Sequence, residues 1–538
     1  MLLTYKNVDL EIYINGLLLD FNINKDINIE LSKDTFNNSI SKLSQKHNCL
    51  EYWLMSLSER NTLVHSLFLD ICKIELINEL LPECGNIEIF TNNIVIYTYF
   101  KKIALVGFQD RLRFEFKKLV QECKPYFQLF KFLFKKIIFT IRYKNKKLKT
   151  DLSNAIIIQT WVGDDNFKDG VFNDSYYGNL ANYLKKSDKK VITWPIFYNV
   201  KSDKKAVEFI RKNNDIFLLI EDYLKMSDYF FSISLFFKKR FLKIGEVKVG
   251  SNDFTTVFKH YQNKEIVGYS DLVYSFTKRL NELNVKNATF LLNHENMVPE
   301  KALILGVRKF LQDSKIVGYF HTTKPSNQLC LEYANNYEYR IAPKPDVIIF
   351  NSNEYKKYYE DKYKNIKTFN GVAFKQLHLK NNTKSDFNTD EILVLFSGVG
   401  EEVKLMFSLL SKVKNSYKFL FRMHPLNRFN VAEFYQYKNY KIVNEESIDE
   451  LLSKSKKIIS TYSATALESA LRGIEVGLIY DKRKLLFNPF DNTNINNYQL
   501  ILNNLELEDF LNKKSEVCKF GHFFNLDEKH YNVFLEVI

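Results

Sequence analysis

The chain has 538 residues, enough for two sizeable domains with additions. Hydrophobic residues make up 46% of it and aromatic residues 15%, which excludes a disordered protein. The net charge of +14 favours anionic partners such as sugar nucleotides or phospholipid head groups, and since the sequence shows no nucleic-acid-binding module, we expect no nucleic-acid partner.

The cysteines and the N-terminal residues bear on the cellular compartment. Six cysteines are scattered without a C-x-x-C pair, which excludes an obvious zinc or redox motif and suits a reducing compartment. Residues 1–11, MLLTYKNVDLE, lack the basic start and apolar core of a signal peptide, and no uncharged apolar run is long enough to span a membrane. We therefore expect a cytoplasmic protein, or one bound peripherally to the inner face of the cytoplasmic membrane.

Apolar, β-branched runs alternate with helical patterns along most of the chain. Such alternation is typical of parallel sheets with helices on both faces, so we predict an α/β fold. The polar stretch 377–390, LHLKNNTKSDFNTD, carries no pattern, and we place an interdomain linker within 365–390. We expect an extra pair of strands before residue 50 and, after residue 485, a closing helix that crosses back. The predicted strands are 87–90, 94–97, 155–159, 191–194, 289–293, 316–320, 347–350, 391–396, 418–422, 457–460 and 476–480.

Residues 125–149, PYFQLFKFLFKKIIFTIRYKNKKLK, form a basic and aromatic segment. Its apolar residues recur at helical spacing among lysines and arginines: Phe127, Phe130, Phe134, Ile138 and Ile141. A helix of this kind can lie in the interface of an anionic bilayer. The sequence slightly favours the alternative, a core helix hairpin with a solvated basic end. We predict a basic amphipathic helical insertion at 110–150, with an anionic membrane surface as a candidate partner.

An acidic and aromatic loop, 161–178 (WVGDDNFKDGVFNDSYYG), follows the predicted strand 155–159. It lacks the D-x-[DN]-x-[DN]-G-x5-E pattern of a calcium loop. Carboxylates accept hydrogen bonds from sugar hydroxyls, and aromatic faces such as those of Tyr176 and Tyr177 pack on sugar rings. We therefore predict that Asp174 belongs to a sugar site, with ordinary turn chemistry as the alternative.

Two further strands end in candidate reacting groups. Glu295 follows strand 289–293 in LLNHENMVPEKA, and His321 follows strand 316–320 in GYFHTT. Ligands of open α/β sheets bind outside the carboxyl ends of the strands. Transfer to a sugar hydroxyl needs a base for its proton, or a carboxylate that stabilises a cationic sugar centre. For Glu300 we prefer favourable charge at a helix N-terminus, and for His321 helix capping is the alternative.

The segment 456–480, KKIISTYSATALESALRGIEVGLIY, predicts an anion site. It indicates a strand, a hydroxyl-rich turn with Ser463, a short helix and a second strand. Thr465 and Glu468 have capping-box spacing, and Gly473 lies where a helix end needs a left-handed residue. A helix N-terminus offers free N–H groups and a partial positive charge, which suit a phosphate or a carboxylate.

Two strand ends upstream would face the same turn. Strand 418–422 ends in Arg422 and is followed by His424 and Pro425, and the proline keeps His424 extended. Ser397 and Gly398 follow strand 391–396, and for them an ordinary strand-to-helix turn is the favoured alternative.

The R-x-H-P motif and S-x-T-A-L-E-S-A at 463–470 together resemble the C-terminal domain of bacterial GT-B glycosyltransferases of surface polysaccharide synthesis. The sequence is most similar to those that use CMP-activated ulosonic acids: sialic acid, pseudaminic acid or Kdo. The E-N-x-x-x-E pattern at Glu295 and the loop around Asp174 resemble the same enzymes. The resemblance implies two Rossmann-like domains facing across a cleft, with the acceptor bound by 1–375 and the nucleotide sugar by 376–538.

The resemblance also implies a role for each candidate residue. His424 and Pro425 would contact the nucleotide, and Ser463 and Thr465 its phosphate, although the motif here is S-A-T where the family has adjacent hydroxyls. Arg422 would offset charge on the departing phosphate. The catalytic groups would be Glu295, Asp174 and His321.

The implied reaction transfers an ulosonic acid from a CMP donor to a glycan or lipid-linked glycan of capsule or lipopolysaccharide. No D-x-D motif stands at a strand end, and we expect no metal cofactor. The open alternatives are a GT-B transferase for UDP- or GDP-sugars or CDP-glycerol, and a non-catalytic, membrane-associated scaffold of polysaccharide assembly.

Overall fold

The structure is a computed structural model. It describes residues 1–144, 151–198, 200–213, 217–266, 268–381, 391–413, 416–424, 429–436, 439–513 and 522–538.

The N-terminal part forms a small mixed sheet in the order β1-β4-β2-β3, where β1 and β4 are parallel. Its strands are β1 (Leu2–Tyr5), β2 (Glu11–Ile14), β3 (Leu17–Leu18) and β4 (Ile87–Thr91). Its helices are α1 (Ile23–Asp26), α2 (Ile29–Lys46), α3 (Leu50–Trp53), α4 (Ser56–Glu59), α5 (Leu67–Leu80) and α6 (Ile94–Phe100). The strand predicted at 94–97 is wrong, because the side chain of Asn93 accepts a hydrogen bond from the Val95 N–H at 2.9 Å and starts α6 there.

A single long helix, α7 (Phe108–Tyr143), follows and continues through Pro125. The region predicted to be helical therefore forms one helix up to residue 143, and the alternative of a helix hairpin is wrong. Its assignment as an insertion stays a prediction, and residues 145–150 lie outside the described residues. One face of α7 is buried, and Phe114 on that face stacks on Tyr97 with ring centres 4.4 Å apart. None of the helices in the described ranges is both long and apolar enough to cross a bilayer.

The central sheet is parallel throughout, in the order β12-β11-β10-β9-β5-β6. Its strands are β5 (Ile156–Val162), β6 (Val191–Phe197), β9 (Thr289–Asn293), β10 (Lys315–Phe320), β11 (Val347–Phe350) and β12 (Thr368–Asn370), while β7 (Lys248–Val249) and β8 (Asn252–Asp253) pair separately. Its helices are α8 (Leu180–Lys186), α9 (Asp203–Lys212), α10 (Met226–Phe241), α11 (Thr255–Asn263), α12 (Tyr269–Glu282), α13 (Val298–Phe310), α14 (Asn336–Ile341) and α15 (Asn353–Lys362). β9 and β11 are buried along their whole length, because helices cover both faces of a parallel sheet.

The C-terminal sheet is also parallel, in the order β15-β14-β13-β16-β17-β18. Its strands are β13 (Glu391–Leu395), β14 (Lys418–Arg422), β15 (Tyr440–Ile442), β16 (Lys457–Ser460), β17 (Glu475–Ile479) and β18 (Tyr498–Ile501). The helices of this part are α16 (Gly400–Leu410), α17 (Ile448–Lys454), α18 (Ala464–Leu471), α19 (Asn504–Asn512) and α20 (Lys529–Val537). With two parallel α/β sheets of six strands each, the predicted fold class is confirmed.

The last helix returns to the central sheet. Phe534 of α20 is fully buried, and its ring centre lies 5.9 Å from that of Tyr319 on β10 and 5.3 Å from that of Phe374. A Cβ added at Gly371 would approach the Phe534 ring to 3.0 Å, which shows how closely α20 packs beside β12. The core of the central sheet is therefore completed by the C-terminal end of the chain.

Candidate functional site

The predicted site residues lie at the points where each parallel sheet reverses its strand order. In the central sheet the reversal lies between β5 and β9, and in the C-terminal sheet between β13 and β16. Ligands of open α/β sheets bind at the carboxyl ends of the strands at such points. Asp174 and Glu295 follow β5 and β9, while Ser397 and Ser463 follow β13 and β16.

A cavity of 690 Å³ lies at the reversal point of the C-terminal sheet. Four of the predicted residues line it: Ser397, Gly398, His424 and Ser463. A loop of the N-terminal part, 62–66, forms its opposite wall. Neither Arg422 nor Thr465 is among the described residues that line it, and Pro425 lies outside the described residues.

Gly398 and His424 are in close contact within this cavity. A Cβ built on Gly398 would lie 3.2 Å from Nδ1 and 3.4 Å from Cε1 of His424, which is tighter than ordinary van der Waals contact. The absence of a side chain at 398 therefore lets the imidazole lie against the β13–α16 loop. Burial lowers the pKa of His424, so the ring is neutral at physiological pH and has one donor and one acceptor nitrogen.

The hydroxyl-rich turn starts α18, but not at the residue that the sequence predicts. Ser463 is the N-cap, and its Oγ accepts a hydrogen bond from the Thr465 N–H at 3.1 Å. The predicted capping box of Thr465 and Glu468 is wrong, because Glu468 instead accepts a hydrogen bond at 3.1 Å from Nε2 of Gln376 in the interdomain segment. The left-handed Gly473 is confirmed, with φ +79°.

Ser460 lies at the end of β16 beside this turn. Ser460 lines the cavity, and its buried Oγ has no hydrogen-bond partner among the described residues. Buried polar atoms are nearly always paired in folded proteins, so this hydroxyl is available to a bound ligand.

Arg422 points away from the cavity. Its Nη1 donates hydrogen bonds of 2.7 Å to the carbonyl oxygens of Val443 and Glu446, which holds the loop after β15. In the structure Arg422 therefore binds backbone carbonyl oxygens. That it offsets charge on a departing phosphate stays a prediction.

The sequence missed several residues of the cavity. Thr461 donates a hydrogen bond of 2.8 Å to Glu402, and Lys484 forms an ion pair with Glu401, the neighbouring carboxylate on α16. Thr461 belongs to the same hydroxyl-rich turn as Ser463 and could have been identified from it. Lys484 and the loop 62–66 reach the cavity only through tertiary contacts, for which the sequence carries no local signal.

Glu295 and His321 form a pair at the edge of the central sheet. Nε2 of His321 lies 3.0 Å from Oε1 of Glu295, and the edge of Tyr176 contacts the imidazole with ring centres 5.0 Å apart at 88°. Burial lowers the pKa of His321 although Glu295 opposes this, so the ring is neutral at physiological pH. Burial alone would raise the pKa of Glu295, but the close contact with His321 and the charge of Lys375 hold it below its ordinary value.

Asp174 shapes the loop that carries Tyr176. Its Oδ1 accepts hydrogen bonds from Thr160 Oγ1 at 3.0 Å, the Tyr176 N–H at 2.8 Å and the Tyr177 N–H at 3.0 Å. Burial raises the pKa of this carboxyl, and the three donors oppose that effect. Asp174 therefore acts on the site through Tyr176, and direct contact with a sugar stays a prediction.

Tyr462 links the cavity to the loop that follows β10. It lines the cavity, and its hydroxyl donates a hydrogen bond of 3.0 Å to Oε1 of Gln328 in the central part. Burial raises the pKa of Tyr462, a hydrogen bond with Thr323 opposes this, and the charge of Glu295 adds to it. The carboxyl edges of the two sheets therefore meet at this side chain.

Several buried polar groups at the carboxyl edge of the central sheet have no hydrogen-bond partner among the described residues. They are the side-chain amides of Asn293 and Asn351 and both ring nitrogens of His321, and they end or follow three adjacent strands. Neither asparagine was predicted as a site residue, although Asn293 ends a predicted strand and Asn351 follows one. In the described part of the chain, no three His, Cys, Asp or Glu side chains come close enough together to hold a metal ion.

Comparisons with known proteins add little to this geometry. No family model matches the sequence, and no curated protein matches it. A putative UDP-N-acetylglucosamine 2-epimerase from Listeria monocytogenes is similar in structure, with 13% identity over 71% of this chain and 95% of that one, at a TM-score of 0.36. MurG of Acinetobacter baumannii is 11% identical over 60% of this chain and 77% of that one, at a TM-score of 0.32. The wall teichoic acid polymerase TagF is 12% identical over 78% of this chain and 90% of that one, also at a TM-score of 0.32. At these identities and TM-scores, the similarities support no conclusion about this chain. Its α/β architecture is established by the strand order of its own sheets.

Proposed function

We propose that this protein is a GT-B glycosyltransferase that moves a sugar from a nucleotide donor to a glycan acceptor. The observation that carries the proposal is that the cavity lies at one strand-order reversal and the Glu295–His321 contact lies at the other, with Tyr462 of the cavity hydrogen-bonded to Gln328 in the loop after β10. A donor in the cavity would present its sugar toward Glu295. The acceptor would then approach from the side of the central sheet.

The cavity offers the chemistry that a nucleotide phosphate needs. The N-terminus of α18 carries free N–H groups and partial positive charge, and the hydroxyls of Ser463 and Ser460 lie beside it. Lys484 adds a cation at the rim, which would offset charge as the phosphate departs. The neutral imidazole of His424 would hydrogen-bond the nucleotide, with Thr465 and Pro425 as further contacts implied by the family resemblance.

Glu295 is the group we assign to the reaction. Its lowered pKa keeps it ionised at neutral pH, so it can take the proton of an acceptor hydroxyl or stabilise the cationic sugar centre. His321 positions it through the Nε2–Oε1 contact, and Asp174 positions His321 through Tyr176. The contacts that begin at Asp174 after β5 and pass through His321 after β10 therefore position Glu295, the proposed reactive carboxylate.

For the donor we propose a CMP-activated ulosonic acid of the sialic, pseudaminic or Kdo type, on the strength of the R-x-H-P and S-x-T motifs. The acceptor would be a glycan or lipid-linked glycan of a capsule or lipopolysaccharide, reached at the cytoplasmic side. CMP leaves with its own phosphate charge delocalised, and we propose that the reaction needs no metal. UDP- or GDP-sugars and CDP-glycerol use the same phosphate-binding groups and remain the second candidates.

A thermal-shift screen with CMP, CDP, UDP and GDP, each with and without EDTA, tests the donor. Ligands that bind only the folded state raise the melting temperature by mass action. We expect a shift with CMP that survives EDTA and disappears in His424→Ala. A shift confined to UDP or GDP would overturn the CMP assignment and leave the transferase proposal standing.

Turnover tests the reaction itself. Release of CMP from CMP-activated sialic acid, pseudaminic acid and Kdo would be followed in wild type and in Glu295→Gln, which keeps the size of the side chain and removes its charge. We expect Glu295→Gln to retain the CMP-induced shift and lose turnover. A wild-type protein that neither binds a nucleotide nor turns over any donor would instead support the non-catalytic scaffold.

A further inference from the structure

The long helix α7 has two apolar faces, and only one of them is used by the core. The inner face is buried, with four large apolar side chains: Phe114, Leu129, Leu133 and Phe139. Nine large apolar residues on the outer face are each 51% to 76% exposed: Phe108, Leu112, Phe116, Leu119, Val120, Phe127, Phe130, Phe134 and Ile141.

The exposed residues form one continuous stripe. At 100° per residue, their positions fall within a sector about 120° wide, roughly opposite the buried face. The helix has 36 residues and is therefore about 54 Å long. We call this outer face the α7 stripe. Contiguous exposed apolar surface of this extent marks an interaction site.

A row of cations runs along one edge of the α7 stripe. Helical spacing places five exposed basic residues beside it: Arg113, Lys124, Lys131, Lys135 and Arg142. The acidic Glu115 lies away from this edge. Its carboxylate accepts hydrogen bonds from Tyr97 and Lys101. Asp110 also lies beside the cations and pairs with Arg113 at 3.4 Å, but four other basic residues remain along this edge. The net charge at this edge of the stripe is therefore positive.

The other edge of the α7 stripe continues onto α10. Tyr126 of α7 packs against Phe236 and Phe237 with ring centres 5.5 Å and 6.4 Å apart. Phe237 in turn stacks on the exposed Phe241 at 6.3 Å. The apolar surface is thus two helices wide, and cations border its outer side.

We propose that the α7 stripe and the exposed end of α10 lie in the interface of a bilayer that contains anionic lipid. Aromatic and aliphatic side chains of such a face enter the boundary between head groups and acyl chains, while the adjacent cations meet lipid phosphates. A second copy of the chain would bring an equal row of cations to the contact, whereas an anionic lipid layer neutralises it. The proposal does not depend on the proposed transferase activity.

Sedimentation with vesicles tests this surface directly. The full-length protein is mixed with vesicles of phosphatidylcholine alone, or of phosphatidylcholine with phosphatidylglycerol, and the bound fraction is measured at low and high salt. We expect binding to the anionic vesicles that weakens with salt. Each of Lys131→Gln and Lys135→Gln should lower the partition coefficient about fivefold, since a basic residue near the surface contributes about 1 kcal/mol.

The apolar part of the surface is tested with Phe130→Glu and Phe134→Glu together. This variant should lose vesicle binding and keep the wild-type melting temperature, because both side chains are exposed. Leu505→Glu is the matched control, since Leu505 on α19 is 79% exposed and lies outside the α7 stripe. Equal loss in the control, or no binding of wild type to anionic vesicles, would overturn the proposal.

Sedimentation velocity without lipid separates the membrane from a second copy. A dimer of the wild-type protein that dissociates in the Phe130→Glu, Phe134→Glu variant would show that the stripe pairs with itself, and would overturn the proposal. The nucleotide thermal shift reports on the cavity and not on α7. Failure of one assay is therefore distinguishable from failure of the other.

Discussion

The contact between Gly398 and His424 makes one methyl group a probe of the cavity. In Gly398→Ala the new Cβ would lie 3.2 Å from Nδ1, so the imidazole must move by a few tenths of an ångström. The backbone at 398 is not in the left-handed region, and alanine is compatible with it. We therefore expect the variant to fold normally and to bind the nucleotide less tightly.

The size of the effect follows from the bond that His424 would make. An ordinary hydrogen bond contributes about 0.5–1.5 kcal/mol, so losing one at the upper end of this range lowers affinity about tenfold. At a nucleotide concentration of about 100 Kd, the ligand stabilises the wild type by about 2.7 kcal/mol, and a tenfold weaker complex by about 1.4 kcal/mol. The rise in melting temperature caused by CMP should therefore be about half of that in the wild type.

The assay is a CMP titration followed by differential scanning fluorimetry. Gly400→Ala is the matched control, because a Cβ at Gly400 meets nothing within 4 Å. We expect the control to behave as the wild type and His424→Ala to show the largest loss. A CMP response in Gly398→Ala equal to that of Gly400→Ala would refute the assignment of His424 to the nucleotide.

Three further predictions concern the central domain. In His321→Ala the contact with Glu295 is lost and burial then raises the carboxyl pKa, so the acid limb of the kcat/KM profile should move to higher pH. His321→Gln, which keeps a polar donor, should move it less, and an unchanged limb would contradict the pairing. In Gly306→Ala the new Cβ would collide with Oγ1 of Thr277 between α12 and α13, which should destabilise the protein by about 1–3 kcal/mol in urea unfolding. Thr277→Ala in the same chain should restore part of that stability. Asp174→Asn should reduce turnover more than CMP binding, since Asp174 holds the Tyr176 loop and not the cavity, and an equal loss of both would argue against that separation.

Much of the sheet framework follows from local sequence. The strands predicted at 289–293, 347–350, 418–422 and 457–460 match the structure, because strands buried on both faces read as short apolar runs between polar turns. The described site candidates that were predicted to follow strands therefore lie at the carboxyl edge of a sheet. The wrong strand at 94–97 shows the limit of this signal, because a short apolar run is compatible with a strand or a helix. In the structure the side chain of Asn93 caps the segment and makes it a helix.

The finer parts of the site depend on contacts that the sequence does not encode locally. Ser463 and Thr465 both carry a hydroxyl suited to capping, and the bond between Glu468 and Gln376 of the interdomain segment shows why the capping box does not form. Arg422 is directed by two carbonyl oxygens of a distant loop. Loop 62–66 lines the cavity although it is distant in sequence from the other lining residues. No periodic pattern in the sequence predicts this contact.

The return of α20 to the central sheet bears on how the protein is made. A ribosome releases β9, β10 and β11 long before Phe534, the residue that closes the aromatic cluster beneath His321. Until then Tyr319 and Phe374 lack a packing partner that each holds in the finished fold. The packing beneath the Glu295–His321 pair is therefore completed only after α20 has been synthesised, although the strands that carry the pair are made much earlier.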